Sequence, residues 1–270
     1  ISSGSELRLD TIKMEIRGNW FNNGGTFTSG TSVVNFYGTV AQTLSKTAGT
    51  ENFYKLNLDN SLGLNINTAG ANSEGGIIVN DSLNLLHGNI SGRNRQVTAL
   101  GVITRTGGGF IDAELRKNVA AGALVKQFEV GYDKAYTPVS LEFTGTAGAT
   151  GLLAVKSDTV TTATSPIKWD NDPPTDVLPA GSTISVSRHI TRQWTVRIPT
   201  ASTFVLGPTR KYNAVFNFRK GVAPSGDIRN SALYNQFEAR MYSGSSWIAP
   251  YAFTTFPSME IGRASCRERV

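Results

Sequence analysis

The chain has 270 residues, of which 39% are hydrophobic and 17% charged, so it can bury a sizeable core and is not a disordered polypeptide. Its 26 Lys and Arg outnumber 20 Asp and Glu for a net charge of +6, but the basic residues are scattered, which argues against a nucleic-acid-binding patch. The 28 glycines and the lack of long apolar runs at helical spacing predict an all-β protein without a membrane-spanning segment.

Residues 6 to about 105 contain short alternating runs separated by turns rich in Asn and Gly. Most runs have three to six residues, so each needs stacked neighbours to be stable. Asparagines at the turns tolerate left-handed backbone, and stacked amides can form hydrogen bonds from coil to coil. This pattern favours a short, right-handed parallel β-helix-like ladder, although an antiparallel meander fits the same spacing. The runs are Leu7–Ile16, Gly25–Thr28, Val33–Tyr37, Phe53–Leu58, Leu62–Ile66, Ile77–Val79, Leu83–Leu86 and Val97–Ile103.

The ladder is predicted to occupy residues 1–106. The sequence starts at Ile1, inside an alternating pattern, so we expect a fragment that lacks its upstream coils. Three glycines in Thr104–Gly109 end the pattern and predict a domain boundary.

Residues 107–259 are predicted to form an immunoglobulin-like β-sandwich. Apolar residues such as Trp194 and Val196 alternate with polar ones, and turn residues separate seven or eight such runs. The runs are Leu124–Val130, Val139–Phe143, Gly151–Lys156, Ile184–Ser187, Gln193–Ile198, Tyr212–Phe218, Gln236–Tyr242 and Ser246–Ile248.

The last eleven residues, EIGRASCRERV at 260–270, differ abruptly from what precedes them and resemble the translation of a common short-read sequencing adapter. We interpret them as an artefactual tail of a metagenomic fragment. They contain Cys266, the only cysteine, so the genuine chain has neither disulfides nor cysteine chemistry. We expect deletion of the tail to change neither folding nor binding.

Several segments carry a resemblance to known modules. GNWFNNGGTFTSGTSVVNFYG, AQTLSKTAGTENFYKLNLDN and SLNLLHGNISGRNRQVTALG resemble the repeated ladder of large surface proteins of Bacteroidetes-type bacteria. ELRKNVAAGALVKQFEVGYDKAYTPVSLEF, SRHITRQWTV and FEARMYSGSSWIAP are similar to the module that follows this ladder. The resemblance implies a secreted or cell-surface protein, of a kind often exported by the type IX secretion system.

The sequence predicts no catalytic residue. The only histidines are His87 and His189, and they do not share a zinc-ligand spacing. A sharper interpretation joins His87 with Arg93 and Arg95 as a carbohydrate-acid site, but the repeated acidic residues that such an enzyme needs are missing.

Two binding sites are nevertheless candidates. Asp170, Asp172 and Asp176 in WDNDPPTD offer oxygen ligands for calcium, the one cofactor we consider. Trp20, Tyr37 and Trp247 are expected to be exposed aromatics that contact glycans.

These observations predict a non-catalytic structural or adhesin-like segment of a large secreted or surface-attached bacterial protein. Its partners would be extracellular glycans or neighbouring surface proteins, without nucleic acid and without membrane insertion. The alternatives are a fragment of a polysaccharide-acting β-helix enzyme and a carbohydrate-binding module.

Overall fold

The computed structural model describes residues 1–68, 75–145, 148–159, 184–209, 211–219, 226–227, 237–242, 247–248 and 260–269. For residues 184–190, 211 and those after 227, it describes the backbone alone. The regular structure of the described residues is β-strand, which confirms the all-β prediction. Within them, no helix has the length and apolar character needed to cross a membrane.

The chain divides into two compact units. The first contains Ile1–Val119 and Phe128–Tyr136, and the second contains Ala120–Gln127 and Thr137–Val270. The strands, in chain order, are β1 (Glu6–Arg8), β2 (Lys13–Ile16), β3 (Trp20–Asn22), β4 (Thr26–Thr28), β5 (Val33–Tyr37), β6 (Gln42–Lys46), β7 (Thr50–Asp59), β8 (Leu64–Thr68), β9 (Gly76–His87), β10 (Ile90–Ala99), β11 (Val102–Thr104), β12 (Ile111–Val119), β13 (Leu124–Phe128), β14 (Gly131–Tyr132), β15 (Ala135–Tyr136), β16 (Val139–Thr144), β17 (Gly151–Thr159), β18 (Ile184–Arg197), β19 (Lys211–Phe216), β20 (Phe237–Tyr242), β21 (Trp247–Ile248) and β22 (Glu260–Arg269).

Parallel pairing of strands that lie one coil apart builds the first unit. Met14 lies beside Val34, an offset of 20 residues, and Val34 lies beside Leu56, an offset of 22 residues. Sheet A consists of β2, β5, the second halves of β7 and β9, and β11. Sheet B consists of β3, β6, β8 and the starts of β10 and β12. Sheet C consists of the first halves of β7 and β9 and the ends of β10 and β12. The result is a β-solenoid of about five coils, which confirms the ladder and excludes the antiparallel meander.

The solenoid core consists of columns of inward-facing apolar side chains. In sheet A, Val34, Leu56 and Leu83 are register partners on successive coils, and all three are fully buried. Strand alternation places every second residue inside, so the sequence pattern of each short run is repeated by its neighbours. Burial of such a side chain stabilises the fold by about 1.5–3 kcal/mol, which explains why runs too short to be stable alone persist in the stack.

Asparagines stabilise the corner between sheets A and B, as the sequence predicts. The side-chain oxygen of Asn19 accepts a hydrogen bond from the backbone N–H of Thr43 (2.8 Å), and that of Asn89 accepts one from Phe110 (3.0 Å). Each bond joins a turn to the following coil, and the buried Asn60 donates to the carbonyl of Val40 in the preceding coil (2.7 Å). These amides satisfy backbone groups that the turns leave without a strand partner.

The three glycines at 107–109 continue the solenoid instead of ending it. A Cβ at Gly107 would lie 1.3 Å from the carbonyl oxygen of Leu86, and one at Gly109 would lie 2.0 Å from that of Gly88. Only glycine permits this close approach to the preceding coil. The parallel pairing of β10 with β12 follows directly, so the first unit extends to Val119, beyond the boundary that the sequence places between residues 106 and 107.

Residues 128–136 return to the first unit and add to its last coil. Val130 forms a parallel bridge with Ile111, and Phe128 and Val130 are fully buried. Lys117 follows Ala99 in the inward column of sheet C, and its ammonium contacts both carboxylate oxygens of Glu129 at 3.0–3.1 Å. The strand register directs the Lys117 cation towards the interior, and the Glu129 carboxylate neutralises its charge there.

The second unit contains two sheets. One consists of β17, β18, β22, β20 and β21, which pair antiparallel. The other consists of β13, β16 and β19, of which β16 and β19 pair antiparallel. Trp194 of β18 is fully buried, its ring centroid lies 5.0 Å from that of Phe216 of β19, and its indole N–H donates to the carbonyl of Thr137. The two sheets thus share apolar contacts within an all-β unit.

The segment that resembles translated adapter forms β22. Ala264 is a register partner of Trp194 in β18 and of Met241 in β20, in both cases antiparallel. The sequence offers no alternating pattern here. Backbone pairing, however, requires only an extended segment beside an unpaired strand edge.

Deletion of residues 260–270 is expected to change the free energy of unfolding by less than about 1 kcal/mol. The adapter interpretation implies a segment that has not been selected to complement a sheet, and the five charged residues of this segment lie within eleven positions. Urea unfolding of the full and shortened chains measures the difference. A larger loss would mean that the pairing of β22 stabilises the fold and that the adapter interpretation is mistaken.

Candidate functional site

The outer face of sheet A is a regular polar surface of the first unit. Its side chains alternate with the buried column of Val34, Leu56 and Leu83 and therefore face away from the core. We define the outer face by three columns of register partners: Lys13, Val33, Lys55, Ser82 and Val102; Glu15, Asn35, Asn57, Asn84 and Thr104; and Tyr37, Asp59 and His87.

A ladder of hydrogen bonds joins the last three residues of the middle column. The side-chain amide of Asn84 donates to Oδ1 of Asn57 (2.7 Å), and the hydroxyl of Thr104 donates to Oδ1 of Asn84 (2.6 Å). Neighbouring strands lie about 4.8 Å apart, a distance that stacked amides can bridge. These bonds hold the polar side chains in fixed positions and pre-organise the surface for contact with another molecule.

Asp59 and His87 form a pair at the edge of this face. They are register partners at the ends of the sheet A portions of β7 and β9, and Nδ1 of His87 lies 2.6 Å from Oδ1 of Asp59. The His87 side chain is 63% exposed and that of Asp59 33% exposed. The carboxylate therefore orients an imidazole that remains accessible to solvent.

Tyr37 lies beside Asp59 in the same column. Its ring is exposed, which confirms the predicted exposure of this aromatic, and the guanidinium carbon of Arg17 lies 5.5 Å from the ring centroid. A tyrosine in this position offers an apolar ring face and a polar hydroxyl. Together with the pair of Asp59 and His87, it forms a row of groups that can stack on and hydrogen-bond to a polar ligand.

The prediction that Trp20 is an exposed glycan contact is corrected by its burial. Trp20 is only 5% exposed, and its ring packs edge-on against Phe27 at 4.8 Å. In the alternating β3, Phe21 occupies the outward position, and Trp20 and Asn22 face inward. An aromatic followed by another aromatic gives no sequence signal of which one faces the core.

The remaining predicted ligands lie outside what the structure describes. Asp170, Asp172 and Asp176 belong to undescribed residues, and the calcium site stays a prediction. Only the backbone is described for His189 in β18 and Trp247 in β21. Among the described residues, no group of three His, Cys, Asp or Glu side chains is placed to hold a metal ion.

The structure pairs His87 with Asp59 and not with Arg93 and Arg95, which only the sharper sequence interpretation joins to it. The guanidinium of Arg93 stacks on the ring of Tyr132 at 4.1 Å, and Arg95 donates to the carbonyl of Asn94. These contacts therefore do not bring His87, Arg93 and Arg95 together into one site.

A second polar cluster lies inside the solenoid and is not predicted by the sequence. Glu51 is 1% exposed and accepts hydrogen bonds from the Trp20 indole (3.0 Å), the Asn22 amide (2.7 Å) and the Lys46 ammonium (3.0 Å). Its register partner on the next coil is the buried Ile77, so Glu51 occupies an inward position of sheet C. A glutamate in a short strand is normally interpreted as solvent-facing; its even spacing from the buried Phe53 is the signal that identifies it.

No protein-family model, curated protein or solved structure matches the chain.

Proposed function

We propose that the chain is a non-catalytic structural or adhesin-like segment of a large secreted or surface-attached bacterial protein, located outside the cell or at its surface. The observation that supports this most is the outer face of sheet A. There, a rigid amide ladder runs beside the row formed by Tyr37, Asp59 and His87. A flat array of fixed donors and acceptors suits repeated weak contacts with an extended ligand.

Extracellular glycans are the partners that fit this chemistry, and neighbouring surface proteins are the second class. Hydroxyl-rich ligands use amide and carboxylate hydrogen bonds and stack on aromatic rings. The proposal includes neither nucleic acid nor membrane insertion. Cations of the outer face lie beside acids, with Lys13 2.9 Å from Glu15 and Lys55 3.5 Å from Asp81, so their charge is locally compensated.

The second unit is proposed to be an immunoglobulin-like β-sandwich. Its antiparallel sheets and the contact of Trp194 with Phe216 support this architecture. The resemblance of its sequence to modules of Bacteroidetes-type surface proteins supports export by the type IX system. The full open reading frame tests this, because a C-terminal sorting domain should follow downstream.

A carbohydrate-binding role is tested by substitution of Tyr37 with alanine. We expect the wild-type chain to bind glycans on an array. The variant should bind at least about tenfold more weakly, which is the loss typical of a central aromatic contact. Phe21→Ala is the matched control, because Phe21 is also an exposed aromatic but lies in β3 of sheet B. If the chain binds no glycan on the array, glycans are excluded as partners and neighbouring surface proteins remain.

The second candidate function is a polysaccharide-acting β-helix enzyme. The exposed His87, oriented by Asp59, is the observation that favours it, because a positioned imidazole can transfer protons.

A further inference from the structure

Asn22, Lys46 and Glu51 bring together the three groups of a condensation reaction. Asn22 of β3 and Lys46 of β6 are register partners on adjacent parallel strands. The carboxylate of Glu51 contacts both: Oε2 accepts from Nδ2 of Asn22 at 2.7 Å, and Oε1 accepts from Nζ of Lys46 at 3.0 Å. An amine and a carboxamide are thus held on the two oxygens of one carboxylate.

The surroundings favour reaction between these groups over their hydration. Asn22 is fully buried, Glu51 is 1% exposed, and the Lys46 side chain is 21% exposed. The rings of Trp20, Phe27 and Phe53 pack against one another next to the cluster, and the Trp20 indole N–H holds Oε2 of Glu51 in place. A dry, pre-oriented site lowers the cost of bringing an amine to a carbonyl carbon.

One further contact activates the carbonyl. The backbone N–H of Gly25 donates to Oδ1 of Asn22 at 2.9 Å. A donor in this position polarises the carboxamide and stabilises the negative charge that develops on its oxygen during nucleophilic attack. Proton transfer and charge stabilisation therefore each have a group in place, and the register pairing puts the amine on the strand next to the carboxamide.

We propose that Asn22 and Lys46 become joined by an intramolecular isopeptide bond, with Glu51 as the proton-transfer group. The Lys46 ammonium gives a proton to Glu51, and the neutral Nζ attacks Cγ of Asn22 to form the new C–N bond. Glu51 passes that proton to Nδ2 and takes a second one from Nζ, while the Cγ–Nδ2 bond breaks and ammonia leaves. Ammonium, carboxylate and carboxamide become a secondary amide, a carboxylic acid and ammonia, so atoms and charges balance without an oxidant or co-reactant.

The bond would link the first two coils of the solenoid covalently. Such a cross-link restricts the conformations of the unfolded chain in the way a disulfide does. The chain upstream of its adapter-like tail contains no cysteine and so has no disulfide to do this. The inference stands independently of the proposed adhesive function, since it concerns the chain's own covalent structure.

Mass spectrometry of the intact, folded chain tests the proposal. We expect a mass about 17 Da below that of the sequence, the mass of one ammonia. Trypsin should fail to cleave at Lys46, and chymotrypsin, which cuts at Phe27, Phe36 and Tyr37, should yield a branched peptide that joins Asn22 to Lys46. A folded wild-type chain with its full mass would overturn the proposal.

Three variants identify the residues that take part in the reaction. Lys46→Arg keeps the cation without an amine nucleophile, Asn22→Ala removes the carboxamide, and Glu51→Gln removes the proton acceptor, so each should have its full mass. Lys13→Arg, at an exposed lysine, should still lose ammonia. If Glu51→Gln does not fold, Lys46→Arg and the branched peptide of the wild type decide the question.

A competing reaction gives the same mass change. Asn23 precedes Gly24, and cyclisation of asparagine to a succinimide also releases ammonia. A loss of about 17 Da that persists in Lys46→Arg, without a branched peptide in the wild type, would assign the change to Asn23 and overturn the isopeptide bond.

Discussion

Substitution of Glu51 with alanine is expected to lower the free energy of unfolding of the first unit by about 3–5 kcal/mol, the typical cost of breaking a buried ion pair. In the chain without the link proposed between Asn22 and Lys46, the Lys46 ammonium, the Trp20 indole and the Asn22 amide lose their shared acceptor inside the solenoid when the carboxylate is removed. Water cannot replace it without entering the core. Urea unfolding followed by circular dichroism measures the loss.

Glu15→Ala is the matched control for this change. Glu15 is also a strand glutamate paired with a lysine, Lys13 at 2.9 Å, but both side chains are at least half exposed. We expect its loss to stay within about 0.5 kcal/mol. Equal effects of the two substitutions would contradict the structural role of Glu51. Repeating both in a Lys46→Arg background separates the loss of hydrogen bonds from the loss of a covalent link to Asn22.

Substitution of Asp227 with alanine is expected to destabilise the second unit by a similar amount, about 3–5 kcal/mol. Asp227 and Arg192 are both fully buried, and Nη2 of Arg192 lies 2.7 Å from the carboxylate. The backbone N–H of Arg219 donates to the other carboxylate oxygen at 2.7 Å. Removing the acid leaves a guanidinium in a low-dielectric interior without its carboxylate. Glu142→Gln, at an exposed residue of β16, is the control and should have little effect.

The same pair predicts a pH dependence. Burial alone raises the pKa of Asp227, but hydrogen bonds from Arg192 and the Arg219 backbone and the charges of both arginines together hold it below the ordinary value of 3.8. A lowered pKa means that the contribution of Asp227 to stability is complete above about pH 4 and is lost as the pH falls through its folded value.

Unfolding of the wild type and of Asp227→Asn across acidic pH checks this sign. The stability difference between the two should shrink as the pH falls below about 4. A difference that is constant over this range would mean that folding does not shift the pKa of Asp227.

The sequence predicts well which residues of each solenoid strand face the core. It predicts poorly which residues of neighbouring coils pair with one another. Alternation in Val33–Tyr37 identifies Val34 and Phe36 as buried and Tyr37 as exposed, because strand geometry alone decides this. The coil offset, in contrast, changes from 20 residues between Lys13 and Val33 to 27 between Lys55 and Ser82. Turn length sets this offset, and short alternating runs contain no information about it.

This variable offset also explains which parts of the candidate site are not predictable. The contact of His87 with Asp59 spans 28 residues, so neither residue indicates the other in the sequence. The glycines at 107–109 favour a linker interpretation until the preceding coil shows why side chains are excluded there. Burial of Trp20 likewise follows from the closed cross-section of the solenoid rather than from local pattern.

The non-catalytic assignment is tested most directly by following a uronic-acid polymer for both binding and cleavage in one sample with the purified chain. We expect no new chain ends, whether the protein is wild type or His87→Ala, and any binding should leave the polymer length unchanged. Reproducible turnover by the wild type that is lost in His87→Ala would contradict it and establish the outer face of sheet A as an active site.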